Sequence, residues 1–185
     1  FQILDVGLTP TMARETARFN GGAIDATTLR RLLRALEWIF IGIALLGCIT
    51  MISGSGFIAN HWLNVQNLPI DEVQKSIILI AMIVVLRWIC GLYRSSISGL
   101  ERLVWLSGFN FAISTTRFVL IIPILVQIES SLKVFFLYQL AIAIFELIFL
   151  TIKTYSLLPA SNEDQLKFWT WASLHSALKF SFVIA

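Results

Sequence analysis

Charged residues are scarce in this sequence. Only 14% of its 185 residues are Asp, Glu, Lys or Arg, while 57% are hydrophobic. An ordinary soluble domain carries about 25% charged residues. The mean hydropathy of +0.82 points in the same direction. The composition therefore argues against a soluble globular domain and predicts a protein that lies largely within a membrane.

Cysteine and histidine are also scarce, and their positions argue against the usual metal sites. Cys48 and Cys90 are single residues inside apolar segments, and His61 and His175 lie far apart. A zinc site needs several such ligands at short spacings, as in C-x-x-C. The sequence also has no glycine-rich phosphate loop and no Ser-His-Asp set. We therefore predict neither an enzyme nor a bound metal or other cofactor.

Both ends of the sequence have the character of an internal segment. It begins with Phe1 rather than Met, and the final run, 167–185, is still apolar where it stops. Neither end shows the pattern of a cleavable signal peptide. We therefore expect this chain to be a piece of a longer protein.

Long apolar runs predict membrane-spanning helices. A helix needs about 20 apolar residues to cross the hydrocarbon core. A backbone in lipid must satisfy its own hydrogen bonds, which favours helices, and the short alternating pattern of a membrane β-barrel is missing. The predicted fold class is thus all-α, a polytopic membrane helical bundle. Its helices are predicted at 38–60, 75–95, 103–128 and 134–153, with a further, truncated helix starting at 168–185.

The positions of Lys and Arg predict how the bundle is oriented. Counted over alternate connections, nine Lys and Arg lie on one side of the predicted membrane and two on the other. Basic residues concentrate in cytoplasmic loops. Residues 1–37 are therefore predicted to be cytoplasmic, and the connections 61–75 and 129–133 periplasmic.

Residues 1–37 are predicted to form two cytoplasmic helices. The first has Thr9 as its N-cap and Pro10 at its first helical position, and it runs to Phe19, where Asn20-Gly21-Gly22 stops it. The second is amphipathic, because four leucines recur at i, i+3, i+4 and i+7 opposite three arginines. It is either an ordinary topology anchor or a binding surface for anionic lipid head groups. These residues are Leu29, Leu32, Leu33 and Leu36, and Arg30, Arg31 and Arg34.

Three of the predicted spans each contain one ionisable residue: Arg87, Arg117 and Glu146. A charge at the centre of a membrane helix costs about 2.5–3.5 kcal/mol on insertion scales, so it tends to face a bundle interior or a wet cavity. At about 1.5 Å per residue, all three lie roughly 16–18 Å below the periplasmic surface. This depth is close to the middle of a hydrocarbon core of about 30 Å.

The helix at 103–128 carries a polar stripe, since four polar residues recur at i, i+3, i+7 and i+10. Pro123 is predicted to kink this helix. On the next helix Gln139 and Glu146 share a face with Ala143, whose small side chain permits close approach. We therefore predict an ion pair between Glu146 and Arg117, the last residue of the stripe. The stripe consists of Ser107, Asn110, Ser114 and Arg117. It either packs on other helices or lines a water-filled cavity, where these residues would bind a substrate.

Each charge also has an alternative interpretation. Arg87 is either part of the cavity or snorkels toward the cytoplasmic side, where Arg94 marks the predicted helix end. Arg117 either contacts a substrate or ion directly or belongs to a structural buried ion pair. Glu146, with Gln139 beside it, has either a structural pairing role or a role in proton coupling.

Two blocks of the sequence resemble one family of membrane transporters. The first block resembles the cytoplasmic connection after the second helix of Wzx-type lipid-linked oligosaccharide flippases, in the multidrug/oligosaccharidyl-lipid/polysaccharide (MOP) superfamily. The second is similar to the loop between their fourth and fifth helices. The first block is Asp5-Val6-Gly7-Leu8-Thr9-Pro10-Thr11 with Arg14-Glu15 and Ala17-Arg18; the second is Leu86-Arg87-Trp88, Gly91-Leu92-Tyr93-Arg94 and Gly99-Leu100-Glu101-Arg102.

The resemblance covers nearly the whole chain and implies part of the first half of a MOP-type exporter. It implies a multi-pass protein of the bacterial inner (cytoplasmic) membrane that takes part in O-antigen or other lipopolysaccharide and polysaccharide biosynthesis. A polyprenyl diphosphate-linked glycan would enter a cationic cavity and reach the periplasmic leaflet by alternating access. Arg87 and Arg117 would suit the anionic diphosphate. The implied partners are membrane lipids, this lipid-linked oligosaccharide and glycan polymerase machinery, and not nucleic acid.

Three other functions compete with this interpretation. A cation-coupled multidrug exporter belongs to the same superfamily, but cationic cavity residues argue mildly against it. A membrane glycosyltransferase or polymerase would need catalytic residues in a large loop, which the sequence lacks. A scaffold that transports nothing would tolerate neutral replacements of Arg87, Arg117 and Glu146.

Overall fold

The computed structural model describes residues 7–57, 70–127 and 132–159. This part of the chain is entirely helical, as predicted, and contains no strand. The predicted helix at 168–185 lies outside the described residues. The helices are α1 (Leu8–Asn20), α2 (Ala26–Phe57), α3 (Ile70–Gly99), α4 (Leu103–Phe118), α5 (Ile121–Gln127) and α6 (Leu132–Leu157).

Four helical segments are long and apolar enough to cross a membrane. Their most apolar stretches have mean hydropathies between 1.3 and 2.3. Large apolar side chains on them point outward, for example Leu46, Phe111 and Ile152, which are 67%, 75% and 63% exposed. Such a surface is costly in water and suits acyl chains. The chain is therefore a multi-pass membrane protein. The four segments are Ala26–Phe57, Glu72–Gly99, Leu103–Pro123 and Leu132–Leu157.

The helix predicted at 103–128 is interrupted before Pro123. α4 ends at Phe118, and α5 begins at Ile121. A proline lacks the N–H that would bond the carbonyl four residues earlier, and its ring clashes with that carbonyl. For Pro123 this carbonyl belongs to Val119, which instead accepts a bond from the Ile122 N–H at 3.2 Å. The proline thus produces a break where the sequence predicts a kink.

The boundaries of the first helix differ slightly from the prediction. The N-cap is Gly7, with φ of 75°, and not Thr9, which lies within the helix. Gly7 can adopt this left-handed conformation without a Cβ penalty, and its carbonyl accepts the Thr11 hydroxyl at 2.7 Å. Pro10 is the third residue of the helix rather than the first, and α1 ends at Asn20, one residue beyond the predicted end at Phe19. The chain then turns through the predicted glycines, where Gly22 also has φ of 75°.

The amphipathic leucine stripe belongs to the same continuous helix as the first span, α2. All four leucines are buried in an apolar core, at no more than 5% exposure. This core also contains Leu8 and Met12 of α1 and Leu92 of α3. The apolar face of the stripe therefore packs on protein rather than on a membrane surface. On the arginine side, the Arg30 guanidinium donates to the Leu158 carbonyl at 3.0 Å, just after α6 ends.

A second polar contact joins α2, α3 and α6 near this core. The Glu37 carboxylate accepts hydrogen bonds from the Tyr93 hydroxyl at 2.8 Å and from the Tyr155 hydroxyl at 3.0 Å. Both donors are neutral, and each comes from a different helix. Glu37 thus fixes the positions of two helices relative to α2.

Removing one of these donors tests how much the contact stabilises the bundle. We expect Tyr155→Phe to lower the free energy of unfolding by about 1.5 kcal/mol, because a bond to a charged acceptor contributes more than a neutral one. Tyr138→Phe is the matched control, since the Tyr138 hydroxyl donates to the neutral Thr116 carbonyl. It should cost about half as much. Denaturant unfolding measures both losses. If the two variants lost equal amounts of unfolding free energy, this account would be contradicted.

Candidate functional site

A charged cluster of Arg94, Arg117 and Glu146 lies between α3, α4 and α6. The Glu146 side chain is completely buried, and each of its oxygens accepts a hydrogen bond from a different arginine. Oε2 accepts from Arg117 Nη2 at 2.7 Å, and Oε1 accepts from Arg94 Nη2. The predicted ion pair between Arg117 and Glu146 is confirmed. The cluster couples three spanning helices through one carboxylate.

The face of α6 that carries Glu146 is the one the sequence indicates. Gln139, Ala143 and Glu146 are all buried on it. The fully buried Ala143 leaves room for a neighbouring helix to approach. Gln139 does not reach a charged side chain; its amide donates to the Arg117 carbonyl at a long 3.4 Å. This carbonyl lies in the last turn of α4, where helical partners are missing, so α6 also holds the end of α4.

Arg117 is placed as a structural partner of Glu146. Its side chain is only 5% exposed. It lies in the last turn of α4, where a positive charge interacts favourably with the helix dipole. This burial favours the structural alternative for Arg117 over direct contact with a substrate.

Sequence reasoning missed Arg94. We predicted that the span ends at residue 95 and that Arg94 marks its cytoplasmic end, but α3 continues to Gly99. Side chains in a helix lean toward its N-terminus, so Arg94 leans away from the helix end and toward the bundle interior. The seven-residue spacing from Arg87 to Arg94 was the available signal, because it puts both on one face of α3.

Arg87 adds a third guanidinium close to this cluster. Its electrostatic interactions include Arg94, Arg117 and Glu146. Its side chain is exposed, and none of the ion pairs between described residues includes it. Three positive charges therefore share one carboxylate, so Arg87, Arg94, Arg117 and Glu146 together have an excess of two positive charges.

The other residues of the predicted polar stripe lie apart from the cluster. Ser107 and Ser114 are exposed, and Asn110 is half-buried. The Asn110 side-chain oxygen is buried and accepts no hydrogen bond from the described residues. Only Arg117 of the stripe reaches Glu146. The predicted role of the stripe in binding a substrate stays a prediction.

The arrangement is suited to binding an anion. Guanidinium groups donate several hydrogen bonds in a fixed plane and pair well with phosphate or carboxylate oxygens. The described residues contain no group of three or more His, Cys, Asp or Glu that could hold a metal ion. The charged cluster also contains no nucleophile beside a general base.

No known protein family, curated protein or solved structure matches this chain. The resemblance to lipid-linked oligosaccharide flippases therefore stays a prediction from the sequence.

Proposed function

We propose that this chain is part of a bacterial inner-membrane transporter that moves a polyprenyl diphosphate-linked oligosaccharide from the cytoplasmic to the periplasmic leaflet. The observation that carries this proposal is the excess of arginine over glutamate within the spanning helices. Isolated charge in a membrane is costly, and a buried carboxylate already offsets one of three guanidinium groups. The remaining positive charge suits an anionic substrate such as a diphosphate.

Arg87, Arg94 and Arg117 differ in exposure, and we propose different roles for them. Arg117 is buried against Glu146 and fixes the end of α4. Arg87 is exposed, and the Arg94 side chain is 30% exposed. Arg87 and Arg94 therefore contact the diphosphate, while Arg117 stays paired with Glu146. Because α3 carries both contact residues, alternating access would move them together.

A cation-coupled multidrug exporter of the same superfamily is the competing proposal. Its substrates are commonly cations, and a site with an excess of positive charge would repel them. The two proposals therefore predict opposite substrate charges. Parallel assays of lipid-linked oligosaccharide flipping and of cationic dye efflux separate them.

Arg87→Ala gives the sharpest test, because Arg87 forms no ion pair with the described residues. We expect the full-length protein with this change to flip lipid-linked oligosaccharide in proteoliposomes about tenfold more slowly. A tenfold change in rate corresponds to about 1.4 kcal/mol in activation free energy. Arg102→Ala is the matched control, since Arg102 is exposed and lies between α3 and α4. It should flip at the wild-type rate.

Two results would contradict the proposed function. One is an Arg87→Ala protein that flips as fast as the wild type. The other is a wild-type protein that exports a cationic dye but moves no lipid-linked oligosaccharide.

A further inference from the structure

The contacts of Glu146 leave both arginines with unused hydrogen-bond donors. Arg94 and Arg117 each reach the carboxylate through Nη2 alone. The Nε of each is buried and has no hydrogen-bond partner. An arginine can bind an oxyanion through two parallel N–H groups. Glu146 therefore occupies both guanidinium groups without saturating either one.

The two arginines differ in how easily they could exchange this partner. The Arg117 and Glu146 side chains are 5% and 0% exposed, so separating them would leave two buried charges unpaired. The Arg94 side chain is 30% exposed, and it lies on the same face of α3 as the exposed Arg87. Arg94 can therefore leave Glu146 at a smaller desolvation cost than Arg117 can.

We infer that Glu146 is an internal counter-anion, which the phosphate of an incoming ligand displaces from Arg94 while Arg117 keeps its ion pair with the buried carboxylate. This inference rests on the proposed function, since it takes an anionic lipid-linked diphosphate as the ligand. Without ligand, Glu146 offsets the charge of Arg94 inside the bundle. With ligand, Arg94 and Arg87 bind the phosphate together. Glu146 thus competes with the substrate and limits how tightly it is held.

Competition makes an unusual prediction: removing the Glu146 charge should strengthen anion binding. We expect Glu146→Gln in the purified full-length protein to bind inorganic pyrophosphate about tenfold more tightly by calorimetry. The matched control is Glu37→Gln, which removes an equal charge from the same bundle, but one held by two tyrosines. Its affinity should stay within twofold of the wild type. Adding Arg94→Gln to Glu146→Gln should abolish the gain.

A second variant covers the case in which Glu146→Gln does not fold. Glu146→Asp keeps a negative charge for the buried Arg117 but shortens the side chain by one methylene, which weakens its reach to Arg94. We expect it to bind pyrophosphate several-fold more tightly than the wild type. Folded variants that bind pyrophosphate equally or more weakly than the wild type would overturn the inference.

Binding and flipping report on the two proposals separately. If the pyrophosphate affinity rises as expected but the wild type moves no lipid-linked oligosaccharide, the counter-anion stands and the proposed function fails. If the wild type flips the lipid and neither Glu146 variant binds more tightly, the proposed function stands and the counter-anion fails. A polyprenyl diphosphate tested beside inorganic pyrophosphate shows whether the lipid chain adds affinity.

Discussion

Glu146→Leu is expected to lower the free energy of unfolding by about 3–5 kcal/mol, because it leaves buried positive charge without its partner. Arg117 loses its only ion-pair partner among the described residues, and Arg94 loses the same one. Denaturant or thermal unfolding of the full-length protein in detergent measures the loss.

Replacing the whole charged cluster should recover most of this stability. Buried ion pairs exchanged for apolar residues of similar size are often neutral or stabilising, since no charge then needs desolvation. We therefore expect the triple variant Arg94→Leu/Arg117→Leu/Glu146→Leu to be clearly more stable than Glu146→Leu alone. Glu72→Leu is the control for an exposed glutamate and should change stability by no more than about 0.5 kcal/mol. A triple variant less stable than the single one would contradict this account.

Because of the position of Arg94, the triple leucine variant tests the charged cluster better than a variant that reverses the charges of Arg117 and Glu146. Exchanging the charges of Arg117 and Glu146 would restore their mutual attraction. It would also place a guanidinium at position 146 against Arg94, because Arg94 contacts that position. A failure of the reversed pair would therefore not show that the original pair was absent.

Gly99→Leu is expected to lower the free energy of unfolding by about 3 kcal/mol or more through overpacking. A Cβ at this position would lie 2.4 Å from the Ala13 backbone oxygen and 2.8 Å from Thr16 Cβ. Neither atom is the far end of a flexible side chain, so α1 as a whole would have to move. Leu8 and Met12 would then leave the apolar core that they share with α2 and α3. Unfolding measurements and faster proteolysis of α1 detect this change.

Gly91 provides the matched control on the same helix. A Cβ there meets no atom within 4 Å. Gly91→Ala should therefore be neutral or stabilise α3 by up to about 1 kcal/mol through helix propensity. Gly99→Ala is the same change at the crowded position. If Gly91→Ala and Gly99→Ala lowered the free energy of unfolding equally, α1 would not dock closely on Gly99.

The sequence predicted those features that depend on periodicity within one helix. The polar stripe of α4 and the spacing of Gln139, Ala143 and Glu146 were enough to pair Arg117 with Glu146. The effect of Pro123 followed from its missing N–H. The same reasoning identified the leucine face of α2, because an amphipathic pattern specifies which side chains share a face.

Features that depend on how helices meet were not predictable in this way. A leucine face looks the same whether it packs on lipid or on α1, and the docking of α1 depends on close approach at Gly99. Arg94 was missed because the end of α3 could not be placed to within a few residues, and a basic residue near a span end normally sets topology. The role of Arg94 as the second partner of Glu146 follows only from the packing of α3 on α6.

Arg117 and Glu146 are energetically coupled inside the bundle, and a double-mutant cycle measures this coupling. Arg117→Gln, Glu146→Gln and the double variant would be unfolded in parallel with the wild-type full-length protein. We predict that the double variant loses at least about 1.5 kcal/mol less than the sum of the single losses, as for contacting buried charges. Losses that add to within about 0.5 kcal/mol would show that the two residues are not coupled.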